Sequence, residues 1–87
     1  MKTLEERLAD EMTTILLSTI FDILKKTKDC EEVRVYKIAY VCNCCRNILA
    51  DSVIKKEDKI DLFKDLAKEC VDDVDKAIGY CKEKQND

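Results

Sequence analysis

The chain has 87 residues, a net charge of −3, 40% charged residues, one glycine and no proline. This length fits one domain, residues 1–87, with a modest core. The near absence of glycine and proline excludes a turn-rich β fold, which needs those residues for its special backbone angles. Nucleic-acid binding usually needs a basic face that displaces counterions, so we expect no nucleic-acid partner. Apolar residues recur at helical period, which predicts an all-α protein.

Three helices are predicted, at about residues 4–28, 30–55 and 58–83. Thr3 and Glu6 have the spacing of a capping box before the first helix, and Asp29 and Glu32 repeat it before the second, with Asp29 as the cap. Equal lengths and short joints favour an antiparallel up-down-up bundle. Because neither joint contains glycine or proline, either could straighten, so a domain-swapped dimer is an alternative. We expect residues 82–87 to form a mobile polar tail.

The first helix has more apolar surface than one bundle core can use. Its second half is apolar over more than half of its circumference, whereas a helix on the outside of a bundle needs an apolar arc of about 100°. The surplus stripe consists of Leu17, Phe21 and Leu24. Large exposed apolar patches usually mark interfaces, so we predict a homodimer formed through this stripe. The alternative is that tilting of the helix hides the stripe within one chain.

The second and third helices each have an apolar stripe at heptad spacing. The stripe of the second helix consists of Val35, Ile38, Cys42, Cys45, Leu49 and Ser52. The stripe of the third consists of Ile60, Phe63, Ala67, Cys70, Val74, Ala77 and Cys81. The charged run 55–58 is the place where a short helix–helix loop is most easily made, so we expect the chain to fold back at Lys56. This fold brings the two stripes face to face.

Three interpretations of the six cysteines remain open. Buried free cysteines behave as small apolar residues, and the stripes are where such residues belong. Alternatively, the fold point puts Cys30 level with Cys81 and Cys42 level with Cys70, so these pairs are disulfide candidates. A metal or redox site would use Cys42, Cys45 and Cys70. The signal for metal is weak, because zinc usually takes paired C-x₂-C motifs or histidines, and the chain has one such motif and no histidine.

The form with both disulfides resembles the twin-cysteine helical hairpins of the mitochondrial intermembrane space. In that family, each of two facing helices carries two cysteines about three turns apart. Here, 11 residues separate Cys30 from Cys42 and 10 separate Cys70 from Cys81, and both gaps are longer than the family's usual spacing. The resemblance is confined to residues 30–81 and implies a shared hairpin geometry.

These features favour a non-enzymatic protein–protein interaction module, such as an adaptor, an inhibitor or a subunit of a complex. There is no histidine for proton transfer and no glycine-rich phosphate loop, so we expect no catalysis and no cofactor. A thiol-based redox sensor or metal-binding protein is one alternative, and a binder of small ligands in an inter-helix cavity is another. Tyr36 and Tyr40 are one turn apart on the second helix, and Tyr80 falls near their level on the third. We expect either rings that pack while their hydroxyls meet water, or rings that line a pocket for a small molecule or a peptide.

The most apolar run, Ile15–Leu24, is ten residues long and is interrupted by polar side chains. A membrane-spanning helix needs about 20 apolar residues. A signal peptide needs a basic start, whereas acidic residues precede this run. We therefore expect a cytoplasmic protein with no membrane contact.

Overall fold

A computed structural model of the protein describes residues 1–85, with side chains as far as Lys82. It consists of three helices: α1 (Leu4–Lys26), α2 (Glu31–Ala50) and α3 (Lys56–Gln85). Each helix packs against the other two, and residues 1–85 contain no β-strand. The predicted all-α class is confirmed. Within the described part of the chain, no helix is both long and apolar enough to cross a bilayer.

The first two helices begin differently. The Thr3 hydroxyl accepts a hydrogen bond from the Glu6 backbone N–H at 3.1 Å, as the predicted cap requires. The predicted Asp29 cap is wrong: Cys30 is the N-cap residue of α2, and its side chain makes no capping hydrogen bond. Arg34 fixes the joint instead, because its guanidinium donates to the Thr27 carbonyl at 2.8 Å and to the neighbouring residue 28 carbonyl at 3.1 Å.

The second joint lies earlier than predicted, because α2 ends at Ala50 and not near residue 55. The Asp51 carboxylate accepts the Val53 backbone N–H at 2.8 Å, a turn that aspartate favours. The Lys59 ammonium donates to the Leu49 carbonyl at 2.8 Å and so satisfies one of the last carbonyls of α2. The charged run predicted as the turn instead opens α3, where the acidic residues 57 and 58 offset the helix dipole.

The far end of α3 extends beyond the predicted boundary at residue 83, to Gln85. The helix therefore includes part of the segment that we expected to be a mobile tail. The last two residues of that predicted tail, 86 and 87, lie outside the described residues.

The core is one cluster to which all three helices contribute. Its fully buried members with the largest side chains are Phe63, Met12, Ile23, Val41 and Val74. The predicted stripe of α3 is confirmed: its members are buried or partly buried along the whole helix, from Ile60 to Cys81. A helix packed between two neighbours needs such a continuous stripe.

The predicted stripe of α2 is partly wrong. α2 packs along two rows of side chains, which we call its two seams: one faces α1 and the other faces α3. Its buried residues are Val33, Lys37, Val41, Cys45 and Ile48, whereas the predicted Val35 is 61% exposed. Cys42 and Leu49 line a groove against Thr13 and Leu16 of α1. Lys37, by contrast, contacts α3. Much of the stripe that we assigned to the α2–α3 contact therefore faces α1.

Gly79, the only glycine of the chain, lies inside α3. Its φ is negative, and a Cβ added there would meet no atom within 4 Å. Neither backbone conformation nor space requires a glycine at this position. An interior glycine weakens a helix by about 1 kcal/mol relative to alanine, so α3 has a weak point just before Tyr80 and Cys81.

We expect Phe63→Ala to lower the free energy of unfolding by about 3–5 kcal/mol, because it opens a cavity at the centre of the core. Leu62→Ala is the matched control, since Leu62 is the neighbouring residue and is 38% exposed. Urea denaturation followed by circular dichroism measures both. A domain of this size has about 4–13 kcal/mol in total, so Phe63→Leu, with an expected loss of about 1 kcal/mol, serves if the alanine variant does not fold. Equal losses at residues 62 and 63 would contradict the core assignment.

Candidate functional site

Three surface features could carry function. The first is an apolar stripe on α1, which we call the α1 stripe: Leu17, Phe21 and Leu24. The second is the pair of sulfur atoms of Cys30 and Cys81. The third is a groove between α2 and α3 that contains all three tyrosines, which we call the tyrosine groove.

The α1 stripe lies on the outside of the molecule. Leu17 is 50% exposed, Phe21 61% and Leu24 37%. At 100° per residue, the stripe points about 160° away from the buried face of α1, whose members are Leu8, Met12, Thr19 and Ile23. Packing within one chain does not hide the stripe, so the alternative of a tilted first helix is not what the structure shows.

Cys30 and Cys81 lie together, as the sequence predicted for this pair. Their Sγ atoms are 3.1 Å apart, although 51 positions separate the residues in the chain. A disulfide bond measures about 2.05 Å between sulfurs, so the observed distance is a contact between two sulfur atoms. Cys30 precedes the first residue of α2, and Cys81 lies in the last third of α3. The contact therefore joins the start of one helix to the far part of another.

The other proposed pair, Cys42 and Cys70, makes no sulfur–sulfur contact like that of Cys30 and Cys81. Cys42 lines the groove against α1, with Cys45 beside it. The Cys70 thiol donates weakly to the Lys37 carbonyl at 3.9 Å, on the α3 side of α2. A disulfide between Cys42 and Cys70 stays a prediction. Among the described residues, no three histidine, cysteine or acidic side chains are grouped to share a metal ion, and the metal candidates Cys42, Cys45 and Cys70 form no such group.

Two of these thiols are hard to ionise. Burial raises the pKa of Cys45 above its ordinary value of 9.0, and neighbouring Cys42 and Cys44 raise it further. Burial also raises the pKa of Cys70, while the Lys37 ammonium opposes the rise. A nucleophilic cysteine needs a lowered pKa and access to solvent. Cys45 and Cys70 therefore have the character of packing residues.

One region of the tyrosine groove has a volume of about 610 Å³, and its lining includes Tyr36, Tyr40 and Leu66. Cys70 is also part of the lining, and it is buried. The neighbouring Cys44, mainly through its charge, raises the pKa of Tyr40 above its ordinary value of 10.0. A second region, of about 670 Å³, shares Tyr36 with the first and extends to Tyr80 and Cys81. The two regions share Tyr36, Lys37 and Asp73 and adjoin each other between α2 and α3.

Lys37 connects the core to the groove. The residue is only 7% exposed, yet its ammonium reaches Asp73 at 2.9 Å. The aliphatic stem fills a core position of α2 while the charge stays at the surface, a common compromise for lysine. The prediction from sequence contained neither this role nor that of Arg34. The available signal for Lys37 was its position, four residues after Val33 and four before Val41, in line with buried valines.

The Lys37–Asp73 pair makes stability depend on pH in the acid range. The hydrogen bond from Lys37, together with its positive charge, lowers the pKa of Asp73 from its ordinary value of 3.8. A carboxyl whose pKa is lower in the folded state stabilises the fold above the unfolded-state pKa, and this contribution disappears as pH falls through the folded-state pKa.

We therefore expect Asp73→Asn to lower Tm at pH 6, and we expect its difference from wild type to vanish as pH falls well below 3.8. Thermal melts by circular dichroism between pH 6 and pH 2.5 would measure this. Asp72→Asn is the control, because it removes a neighbouring charge and leaves the Lys37–Asp73 pair in place. A difference that is the same at both ends of the pH range would contradict the assignment.

Comparison with known proteins gives no relative. The chain matches no protein-family model, no curated protein and no solved structure. The basis for a functional proposal is therefore the α1 stripe, the sulfur pair of Cys30 and Cys81, and the tyrosine groove.

Proposed function

We propose that the protein is a small non-enzymatic interaction module that associates with a second copy of itself through the α1 stripe. The observation that supports this proposal is the exposure of Leu17, Phe21 and Leu24 on the side of α1 that faces away from the core. Three large apolar side chains one turn apart on a single helix face form the kind of continuous patch that marks an interface. Adaptor, inhibitor and complex subunit are the roles open to such a module.

A second copy is the simplest partner for this stripe. Two helices related by a twofold axis present the same patch to each other, so six apolar side chains would leave water together. The stripe contains no charged residue at its three positions, so a twofold contact places no like charges opposite each other there. Association through a helix face that already lies outside the core needs no change in the packing of α2 and α3.

The proposed arrangement of each copy is an antiparallel up-down-up bundle. Between α2 and α3, the contacting residues run in opposite orders along the two helices: Cys30 with Cys81, Lys37 with Asp73, and Leu49 with Lys59. Between α1 and α3 they run in the same order: Glu5 with Lys56, and Lys26 with Asp75. These contacts support helices that alternate in direction. A cytoplasmic location stays a prediction from composition.

The sulfur pair favours a second candidate function, a thiol–disulfide switch. Exchange with an external disulfide would join Cys30 and Cys81, with the two electrons passing to the external disulfide, which leaves as two thiols. The bond would close a loop across 51 positions, and chain entropy predicts a gain in stability of about 4 kcal/mol if the geometry is relaxed. The 3.1 Å sulfur–sulfur contact is the observation that supports this candidate.

For self-association, we expect the wild type to sediment as a dimer at micromolar concentration and Phe21→Lys to sediment as a monomer. The introduced charge would face its own copy across the twofold axis, so one substitution acts on both sides of the interface. Val35→Lys is the matched control, because Val35 is also 61% exposed but lies on α2. Analytical ultracentrifugation measures all three proteins. A wild type that is monomeric at micromolar concentration ends this proposal.

For the switch, we expect oxidised glutathione to leave four of the six cysteines open to alkylation after denaturation, with a mass loss of two hydrogens. Cys30→Ser should form no such bridge, whereas Cys44→Ser should still form it, because Cys44 takes no part in the sulfur contact. Two remaining thiols in the wild type would indicate that Cys42 and Cys70 bridge as well. Six alkylated cysteines after oxidation would exclude the switch.

A further inference from the structure

The tyrosine groove has aromatic walls that the bundle itself does not use. All three tyrosines of the chain line it, and Tyr36 is 67% exposed, Tyr40 45% and Tyr80 71%. A tyrosine at the end of a bundle usually packs its ring and leaves only its hydroxyl in water. These rings are open to solvent instead. Tyrosine is enriched at the centres of protein interfaces, where such rings become buried by a partner.

The charges of the groove are predominantly acidic. Among the lining residues up to Lys82, the carboxylates belong to Glu32, Glu69, Asp72 and Asp73, and the ammonium groups to Lys37 and Lys76. Lys37 and Asp73 neutralise each other in an ion pair. Within the part of the chain whose side chains are described, Glu32, Glu69 and Asp72 make no ion pair. The described lining of the groove therefore offers three carboxylates outside any ion pair against one remaining lysine.

Exposed aromatic rings beside carboxylates without cations are complementary to one kind of group. A cation over the face of a tyrosine ring is attracted by the ring's negative face, and nearby carboxylates add charge pairing. Arginine fits this better than lysine, because its planar guanidinium stacks on a ring and pairs with a carboxylate through two hydrogen bonds. Its apolar stem would lie against Leu66, which is partly buried in the floor of the groove.

We propose that the tyrosine groove binds an arginine-bearing segment of a partner protein. Tyr36 and Tyr40 are one turn apart on α2, and Glu69 and Asp72 are one turn apart on α3, so the groove repeats its ring and carboxylate along its length. A helical segment with arginines one turn apart matches that repeat. This surface is separate from the α1 stripe, so the proposal stands whether or not the protein forms a dimer.

The test uses two synthetic peptides and the full-length protein labelled with ¹⁵N. One peptide is an alanine-based helix with arginine at every fourth position, and its twin has neutral citrulline at the same positions. We expect the arginine peptide to shift the backbone resonances around Tyr36, Tyr40, Glu69 and Asp72, and we expect the citrulline twin to leave them unchanged. Raising the salt concentration should weaken binding, because partly exposed charge pairs are screened.

Variants assign the binding to the groove. Tyr36→Ala should weaken binding about two- to fivefold, and Tyr36→Phe, which keeps the ring, should bind as wild type does. The double variant Glu69→Gln, Asp72→Asn should weaken binding several-fold. The control double variant Glu11→Gln, Asp22→Asn removes the same charge from exposed positions of α1 and should have little effect. Circular dichroism checks that each variant is folded.

Three results would overturn the proposal. The arginine peptide could cause no shifts at millimolar concentration. The citrulline twin could bind equally well, which would make the groove an apolar docking site and not a site for cations. The control variant on α1 could weaken binding as much as the groove variant does, which would reduce the effect to general attraction between a basic peptide and an acidic protein.

Discussion

The constraint on which the whole structure depends is that α2 must fill two seams with only 20 residues. Val33, Val41 and Ile48 are buried, Cys42 and Leu49 face α1, and the stem of Lys37 completes the side toward α3. Although α2 uses apolar residues in both directions, it leaves Val35 and the rings of Tyr36 and Tyr40 exposed. On α1 the exposed apolar residues form a stripe on the side away from the core, so this candidate interface is separate from the core.

The sequence predicted the three helices, the whole buried stripe of α3 and the surplus stripe of α1, because each of these depends on one helix and its own period. It did not predict the rotation of α2. The position of Lys37 in line with Val33 and Val41 indicates a buried stem, but the partner of its charge is not known until the position of Asp73 is. The end of α2 was also missed, because the charged run 55–58 resembles a turn, whereas carboxylates at those positions equally stabilise the start of a helix.

For the candidate sites too, features that depend on one helix or on the fold point could be predicted, whereas other side-chain contacts between helices could not. The contact between Cys30 and Cys81 could be predicted, because it needed only the approximate fold point of two helices. The level of Cys42 with Cys70 was derived in the same way, but the two seams of α2 give these cysteines different surroundings. The sequence placed Tyr80 near the level of Tyr36 and Tyr40, and Tyr36 lines both regions of the groove. Which carboxylates of the groove lack a cation depends on side-chain pairing between helices, and no periodic pattern contains that information.

Gly79 lowers the local stability of the last part of α3. Because Gly79 weakens the helix without filling any structural need, we expect the turn that carries Tyr80 and Cys81 to open more readily than the core around Phe63 and Val74. Amide hydrogens of residues 80–85 should exchange with deuterium sooner than those of the central turns. The part of the groove wall that Tyr80 contributes thus follows the residue of α3 with the lowest helix propensity.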